Sequence, residues 1–136
     1  MNTLVIFYSY SGKTKAIAEA LAAKESGNIA EIKDVSRPGK LKAYTAGIIS
    51  SIRGKAWPIQ PLDIDFTDYS RIILLSPIWA GNPPPAVNGF LEILPTGKSV
   101  VAKMVSMSGE SNCKERVEAV IAAKGSIPES YEDIKA

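Results

Sequence analysis

The sequence predicts an α/β domain in which helices cover both faces of a parallel β-sheet, the three-layer doubly wound architecture. Apolar runs alternate with stretches of helical periodicity along the chain, in the order βαβαβαβα. The runs near residues 3–8 and 71–76 are apolar throughout, which is typical of parallel strands buried on both faces. Right-handed crossovers place such strands in one sheet, and 136 residues suffice for one domain with a substantial core.

The first strand, from about Thr3 to Tyr8, leads directly into a loop and a helix that ends near Lys24. The loop comprises Ser9, Tyr10, Ser11, Gly12, Lys13 and Thr14. The first N–H groups of a helix lack intrahelical acceptors, and together with the helix dipole they attract anions. We therefore predict a phosphate site here, although Ser, Thr and Gly are also ordinary residues of caps and turns. The spacing matches neither a Walker loop nor the three-glycine dinucleotide fingerprint.

The later elements follow the same alternation of strands and helices. We predict a second, edge strand at 29–35, a helix at 40–52, a strand at 71–76, a short helix near 87–94, a strand at 99–107 and a helix from 113 to about 124. In the helix at 40–52, the apolar residues Leu41, Tyr44, Ile48 and Ile52 recur at helical spacing. Asn112 and Glu115 have the spacing of an N-cap pair for the last helix.

Two further loops follow strands. The first begins with Pro77, Ile78, Trp79, Ala80, Gly81 and Asn82, and three prolines then stiffen it. The second spans 108–112 and includes Ser108, Gly109 and Asn112. In a parallel α/β sheet, ligands bind beyond the carboxyl ends of the strands, so the three loops are expected to meet at one crevice. Trp79 is either a buried core residue or a platform for a ligand.

Composition restricts the chemistry. Histidine is absent and Cys113 is the only cysteine, which removes the usual general base, Ser-His and Cys-His nucleophiles, disulfides and cysteine metal clusters. We therefore predict no catalytic side chain and no metal site, and expect any catalysis to belong to a bound cofactor. The net charge of +2 is too small to indicate nucleic acid. No signal sequence or membrane-spanning segment is recognisable, so a cytoplasmic protein without a membrane partner is expected.

With the three loops taken together, the sequence resembles the flavodoxin family, especially its short flavodoxin-like members. Residues 9–14 match the family's Ser/Thr-x-Thr/Ser-Gly-x-Thr loop, which binds the phosphate of FMN. Residues 77–82 match the loop that lies along the isoalloxazine ring, and residues 108–112 match the third flavin loop less specifically. The resemblance implies that Trp79 stacks on the ring and that backbone groups of 78–82 contact its polar edge. It extends over residues 1–125.

The family sheet has five strands in the order 2-1-3-4-5, and here the sequence departs from the pattern. Residues 126–136 contain no apolar run, so we predict the order 2-1-3-4 with a short or missing fifth strand and a C-terminal tail in its place. Strand four is then an edge, which Lys103 in its middle would protect. A homodimer that covers this edge is an alternative.

Three functions remain open at this level. The first is an FMN-binding protein that carries electrons between redox partners. The second is an NAD(P)H-dependent, FMN-containing reductase of quinones or small acceptors. It is favoured by the basic segment from Lys33 to Lys55, which would attract a nicotinamide phosphate, and by a third loop without an aromatic residue, which would leave one flavin face open. The third is a flavodoxin-like interaction module without flavin. The resemblance ranks them in that order.

Overall fold

A five-stranded parallel sheet in the order β2-β1-β3-β4-β5 forms the centre of the protein. The computed structural model describes residues 2–25 and 27–136. The strands are β1 Asn2–Phe7, β2 Asn28–Glu31, β3 Tyr69–Pro77, β4 Ser99–Ser106 and β5 Ile127–Lys135. The first helix ends at Glu25, next to its predicted end near Lys24. The predicted α/β class and the order of the first four strands are confirmed.

A 3₁₀ turn, Phe66–Asp68, precedes β3, and four longer helical segments connect the strands of the described chain and cover both faces of the sheet. They are α1 Lys13–Glu25; α2, which consists of Lys40–Lys42, a π-helical turn Ala43–Gly47 and Ile48–Ile52; α3 Pro85–Glu92; and α4 Lys114–Ala123. Among the described residues, α1 packs through Ala18 and Ala22 on one face of the sheet. On the opposite face, α3 and α4 cover a larger core that contains Phe90 and Ile121. The predicted three layers are therefore present.

The central strands are apolar along their length because both of their faces are covered. Leu4 and Ile6 point into the larger core, whereas Val5 and Phe7 point toward α1. Residues 72–75 of β3 alternate in the same way and are at most 1% exposed. Burial on both sides explains why these segments are easily recognised in the sequence.

The prediction of a short or missing fifth strand, with a tail at 126–136, is wrong. β5 is nine residues long and pairs with β4 from Ser99 to Ser106. Six of its residues are exposed, including Ile127 at 64%, and only Pro128, Tyr131 and Ile134 are half-buried. β5 is the edge strand, and at Glu129 a bulge shifts the register next to Pro128, which cannot donate to a ladder. An edge strand with an exposed face can form without a run of apolar residues. β5 therefore could not be recognised from hydrophobicity in the sequence.

Polar side chains join β5 to the sheet where an apolar face would otherwise be required. The prediction that Lys103 protects an open edge is wrong. Lys103 donates a hydrogen bond to Glu132 of β5 at 2.5 Å. Arg71 of β3 donates two hydrogen bonds to the Glu129 carboxylate, at 3.0 and 3.1 Å. The open edge that motivated the homodimer is therefore occupied by the chain itself.

Helix α2 exists as predicted, but its large apolar residues face outward. The buried positions are Ala43, Gly47 and Ser51, which recur every four residues. Leu41 and Tyr44 are 80% and 72% exposed. The apolar periodicity thus predicts that a helix forms, but the small residues of this helix, and not its large apolar ones, pack against the rest of the protein.

The predicted N-cap of α4 is also corrected. Cys113 occupies the cap position, and no side chain caps the helix. Asn112 instead donates its backbone N–H to the Gly81 carbonyl at 2.8 Å. Within residues 2–25 and 27–136, no helix has the length and apolar character needed to cross a membrane.

Candidate functional site

The loops that follow β1, β3 and β4 surround one crevice of about 650 Å³ at the carboxyl edge of the sheet. Ten of the fifteen predicted site residues line it: Tyr10, Ser11, Lys13, Thr14, Pro77, Ile78, Trp79, Ala80, Gly81 and Ser108. The predicted residues Ser9, Gly12, Asn82, Gly109 and Asn112 do not line it. The volume lies within the usual range for small-molecule and cofactor sites.

One end of the crevice is the start of α1. Gly12 has a φ of +101°, a conformation that favours glycine, and its N–H donates to Ser9 Oγ at 3.0 Å. The first i to i−4 bond of the helix runs from Ala16 N–H to the Gly12 carbonyl. The N–H groups between these residues precede that bond and have no intrahelical acceptor. Ser9 and Gly12 therefore shape the loop, while Ser11 and Lys13 line the crevice.

Trp79 forms part of the wall of the same crevice. Its half-buried ring makes edge-on contacts with Tyr8 and Tyr10, with centroids 6.4 and 5.7 Å apart. On another side it lies against Gly47 of α2, where an added Cβ would be 2.8 Å from Trp79 Cζ3. The ring is therefore held in place while part of it faces the crevice, which combines the two interpretations of Trp79 made from the sequence.

A tight turn holds Trp79 and exposes backbone to the crevice. The N–H of Trp79 donates to the Asn82 carbonyl at 2.7 Å, and the reverse bond is 3.1 Å. The two residues between them have φ values of +51° at Ala80 and +81° at Gly81. A positive φ at a residue with a Cβ is uncommon and typical of functional loops.

The side chain of Asn82 fixes this turn instead of facing the crevice. Its Nδ2 donates to the Ala80 carbonyl at 3.0 Å, and its Oδ1 accepts from Arg116 of α4. Arg116 also donates to the carbonyls of Ser51 and Ile52 at the end of α2. This cation thus joins α2, α4 and the Trp79 turn, next to the negative end of the α2 dipole.

Tyr10 is fixed by the segment that leads into α2. Its hydroxyl donates to the Pro38 carbonyl at 2.9 Å, and Arg37 donates to the Tyr10 carbonyl at 2.7 Å. The Arg37 guanidinium also lies 4.3 Å from the centroid of the Tyr10 ring, a cation–π contact. Tyr10 therefore supports the Trp79 ring as part of a braced cluster.

Behind this cluster, the Tyr8 hydroxyl donates to Asp34 Oδ2 at 2.6 Å. Burial raises the pKa of Asp34 above its ordinary value, and it outweighs the Tyr8 hydrogen bond and the charges of Arg37 and Lys42, which lower it. Burial and the Asp34 carboxylate likewise raise the pKa of the Tyr8 hydroxyl. These groups hold the wall of the site together and do not open into the 650 Å³ crevice.

β5 organises the third loop. Ser111 Oγ donates to Asp133 at 2.6 Å and is also hydrogen-bonded to the Tyr131 hydroxyl. Gly109 approaches Lys135 so closely that an added Cβ would lie 3.1 Å from Lys135 Cβ. Cys113 is buried against Tyr131, and burial raises the pKa of its thiol, as expected for a packed cysteine. The missed strand therefore completes the candidate site.

Several lining residues were not predicted; all of them except Glu110 lie outside the three predicted loops. They are Tyr44 from α2, Val105, Ser106, Met107 and Glu110 around the end of β4, and Ala136. Met107, a large apolar residue directly before the third loop, is 77% exposed. Tyr44 also lines an adjoining cavity of about 460 Å³ with Ile48 and Trp79. The only sequence signal for Tyr44 was its place in the apolar periodicity of α2.

Neither a family model nor a curated protein matches the sequence. Solved structures do resemble it. A flavoprotein from Lactobacillus acidophilus NCFM, crystallised in complex with FMN, has a TM-score of 0.77 and 25% identity over 97% of this chain and 93% of its own. A putative flavoprotein from Bacteroides eggerthii DSM 20697 has a TM-score of 0.80 and 20% identity, covering 96% of this chain and 86% of its own.

A flavodoxin from Streptococcus pneumonia TIGR4 is more distant, with a TM-score of 0.55 and 16% identity over 100% of this chain and 87% of its own. All three similarities extend over nearly the whole chain and include β5. The five-stranded order, the three layers and the strand-end crevice agree with the resemblance identified in the sequence. The chain therefore has the flavodoxin-like fold.

Proposed function

We propose that the crevice binds FMN and that the protein carries electrons between redox partners. The observation that carries the proposal is the convergence of three strand-end loops on one 650 Å³ crevice, with an unpaired helix start at one end and Trp79 along the wall. The Lactobacillus acidophilus flavoprotein, which covers nearly the whole chain, was crystallised with FMN. This likeness supports the assignment of the cofactor.

The residues present fit FMN. The N–H groups at the start of α1, with Ser11 and Thr14, would hold the phosphate, and Lys13 would offset part of its charge. The flat face of Trp79 would receive the isoalloxazine ring, and the backbone of the turn at 80–81 would meet its polar edge. Bound FMN accepts and donates electrons, and the protein binds, orients and partly shields it.

The lining of the crevice also favours a carrier over an acid–base catalyst. Its ionisable side chains are those of Tyr10, Tyr44, Lys13 and Glu110. The chain has no histidine to serve as a general base near neutral pH. The protein's contribution is therefore the tuning of a bound cofactor.

Titration of the purified protein with FMN and with riboflavin, followed by the flavin absorption bands, tests the proposal. We expect FMN to bind at least about tenfold more tightly than riboflavin, because only FMN carries a phosphate for the start of α1. Trp79→Leu is expected to weaken FMN binding, whereas Trp57→Leu, outside the crevice, is the matched control. Equal affinities for the two flavins would contradict the phosphate site, and no binding of either would favour the flavin-free interaction module.

The reductase is the second candidate because the adjoining 460 Å³ cavity, lined by Lys40, Tyr44 and Trp79, provides space beside the proposed flavin site. A nicotinamide could occupy this space. Anaerobic addition of NADPH or NADH to the FMN-loaded protein distinguishes the two functions. Rapid loss of flavin absorbance would support the reductase, whereas unchanged absorbance supports the carrier.

A further inference from the structure

The outer face of α2 carries large apolar side chains that are exposed instead of packed into the core. Leu41, Tyr44, Ile49 and Ile52 are 80%, 72%, 52% and 53% exposed. On the inner face, Ala43, Gly47 and Ser51 are buried. A helix normally buries its large apolar side chains and exposes its small and polar ones. A contiguous exposed apolar face of this kind marks an interaction surface.

This face adjoins the candidate FMN site. Tyr44 lines both the 650 Å³ crevice and the 460 Å³ cavity, and Ile48 lines the latter. Leu41, Ile49 and Ile52 lie outside the linings of both cavities. The apolar surface therefore begins at the mouth of the crevice and continues along α2, beyond the reach of a small molecule held in the crevice.

Basic residues surround the apolar face. Lys40 and Lys42 belong to its first turn, and Arg53 and Lys55 follow its end; all four are exposed. The segment 33–58 contains six Lys or Arg residues and a single acidic residue, Asp34, which is buried against Tyr8. The whole chain has a formal charge of +2, so the residues outside this segment carry a net −3. The positive charge is concentrated around α2.

We propose that the outer face of α2 is the docking surface for an acidic redox protein, whose apolar centre covers Leu41, Ile49 and Ile52 and whose carboxylates face the surrounding Lys and Arg side chains. The proposal rests on the proposed function in that the docked protein would exchange electrons at the crevice. An apolar centre within a charged rim is the usual composition of such interfaces, and the charge would also steer the encounter.

Other occupants fit less well. In a two-fold dimer through this face, the basic rim of one copy would meet the same basic rim of the other, and like charges would repel. A nicotinamide dinucleotide would satisfy the positive charge, but it would leave the apolar side chains beyond the crevice exposed. An acidic protein accounts for both the charge and the apolar area.

Titration calorimetry with two probes of opposite charge tests the proposal. The probes are an acidic [2Fe–2S] ferredoxin and a basic c-type cytochrome, each added to the full chain with and without FMN. We expect the ferredoxin to bind and the cytochrome not to bind, and we expect ferredoxin affinity to fall at least about tenfold between about 0.02 and 0.2 M salt because exposed charges are screened.

Matched variants locate the surface. Leu41→Ser and Ile49→Ser are each expected to weaken ferredoxin binding about tenfold, whereas Ile127→Ser on β5, which is 64% exposed, leaves it unchanged. Arg53→Glu is expected to weaken binding several-fold at low salt, and Lys24→Glu, an equal charge change on α1, is its control. Circular dichroism of every variant verifies that the chain is folded.

Four results would overturn the proposal: no ferredoxin binding, tighter binding of the cytochrome, α2 variants that behave like their controls, or ferredoxin displaced by NADPH alone. Light scattering that shows two chains per particle, reduced to one by Ile49→Ser, would also overturn it by assigning this face to a second copy. Because binding is measured with and without FMN, failure of docking is distinguishable from failure of the flavin site. Ferredoxin binding to a chain that cannot bind FMN would leave the docking surface standing and refute electron transfer through FMN.

Discussion

At the scale of single residues, Gly47 determines where the Trp79 ring lies. Gly47 is buried in the π-helical turn of α2, and the Trp79 ring occupies the space that a Cβ would need. The other sides of the ring contact Tyr8 and Tyr10, whose positions are fixed by hydrogen bonds to Asp34 and Pro38. The ring therefore cannot shift without disturbing residues that are themselves braced. π-Helical turns are frequent at functional sites, and this one serves close packing.

Gly47→Ala is therefore expected to destabilise the protein by about 1–2 kcal/mol, because overpacking outweighs the gain in helix propensity. The displaced ring is also expected to weaken FMN binding. Gly39→Ala is the control, since an added Cβ there meets nothing within 4 Å. Urea unfolding and FMN titration of both variants give the two quantities. A stabilised Gly47→Ala variant with unchanged FMN affinity would show that the ring is free to move.

Asp34 makes stability depend on pH in an uncommon direction for a carboxylate. Burial raises the pKa of Asp34 above the ordinary 3.8, so the folded state binds the proton more tightly than the unfolded state. The resulting stabilisation is fully present below the ordinary pKa and is lost as the pH rises through the raised value.

Asp34→Asn is expected to remove this loss while keeping an oxygen that accepts from the Tyr8 hydroxyl. The free energy of unfolding of the natural protein, minus that of the variant, is thus expected to fall as the pH rises from about 3 to about 7. Urea unfolding at several pH values measures this difference. A difference that rises with pH would mean that the charged Asp34 carboxylate is favoured by Arg37 and Lys42.

At the scale of elements, the difference between predicted and observed structure follows from burial. β1, β3 and β4 are covered on both faces, so their apolar runs identify them. β5 is an edge strand that is held by ion pairs through Glu129 and Glu132, and nothing in its local composition distinguishes it from a polar tail. The loops at 9–14 and 77–82 were predictable because their residue types match a specific chemistry. The position of Tyr44 in the crevice lining was not predictable, because it depends on which face of α2 packs against the sheet.

β5 is expected to support the candidate site through Tyr131, whose hydroxyl contacts Ser111 and lies 3.2 Å from Cys113 Sγ. Tyr131→Phe removes these contacts, and we expect it to cost about 1 kcal/mol and to weaken FMN binding several-fold by loosening the third loop. Tyr69→Phe is the control, because the exposed Tyr69 hydroxyl accepts from Asn28 away from the crevice. Urea unfolding and FMN titration compare the two variants. Equal FMN affinities would separate β5 from the function of the site.

At the scale of the whole molecule, the sheet holds the three site loops at one edge and links them to one another. The Asn112 N–H donates to the Gly81 carbonyl, which joins the third loop to the Trp79 turn. Arg116 joins that turn to α2, and Ser111 joins the third loop to β5. A ligand bound at this edge is therefore expected to stabilise these segments more than the opposite end of the sheet.

Amide hydrogen exchange with and without saturating FMN measures this distribution. FMN bound only to the folded state would add about 2.7 kcal/mol to global stability at about one hundred times its dissociation constant. Amides that exchange only by global unfolding would slow accordingly. We expect additional local protection in 9–14, 77–82 and 106–112, because these loops open locally before global unfolding. The turn at 95–98, at the opposite end of the sheet, is the internal control. Protection centred instead on the 340 Å³ cavity between residues 29–33 and 60–64 would place the flavin beside β2 and contradict the strand-end site.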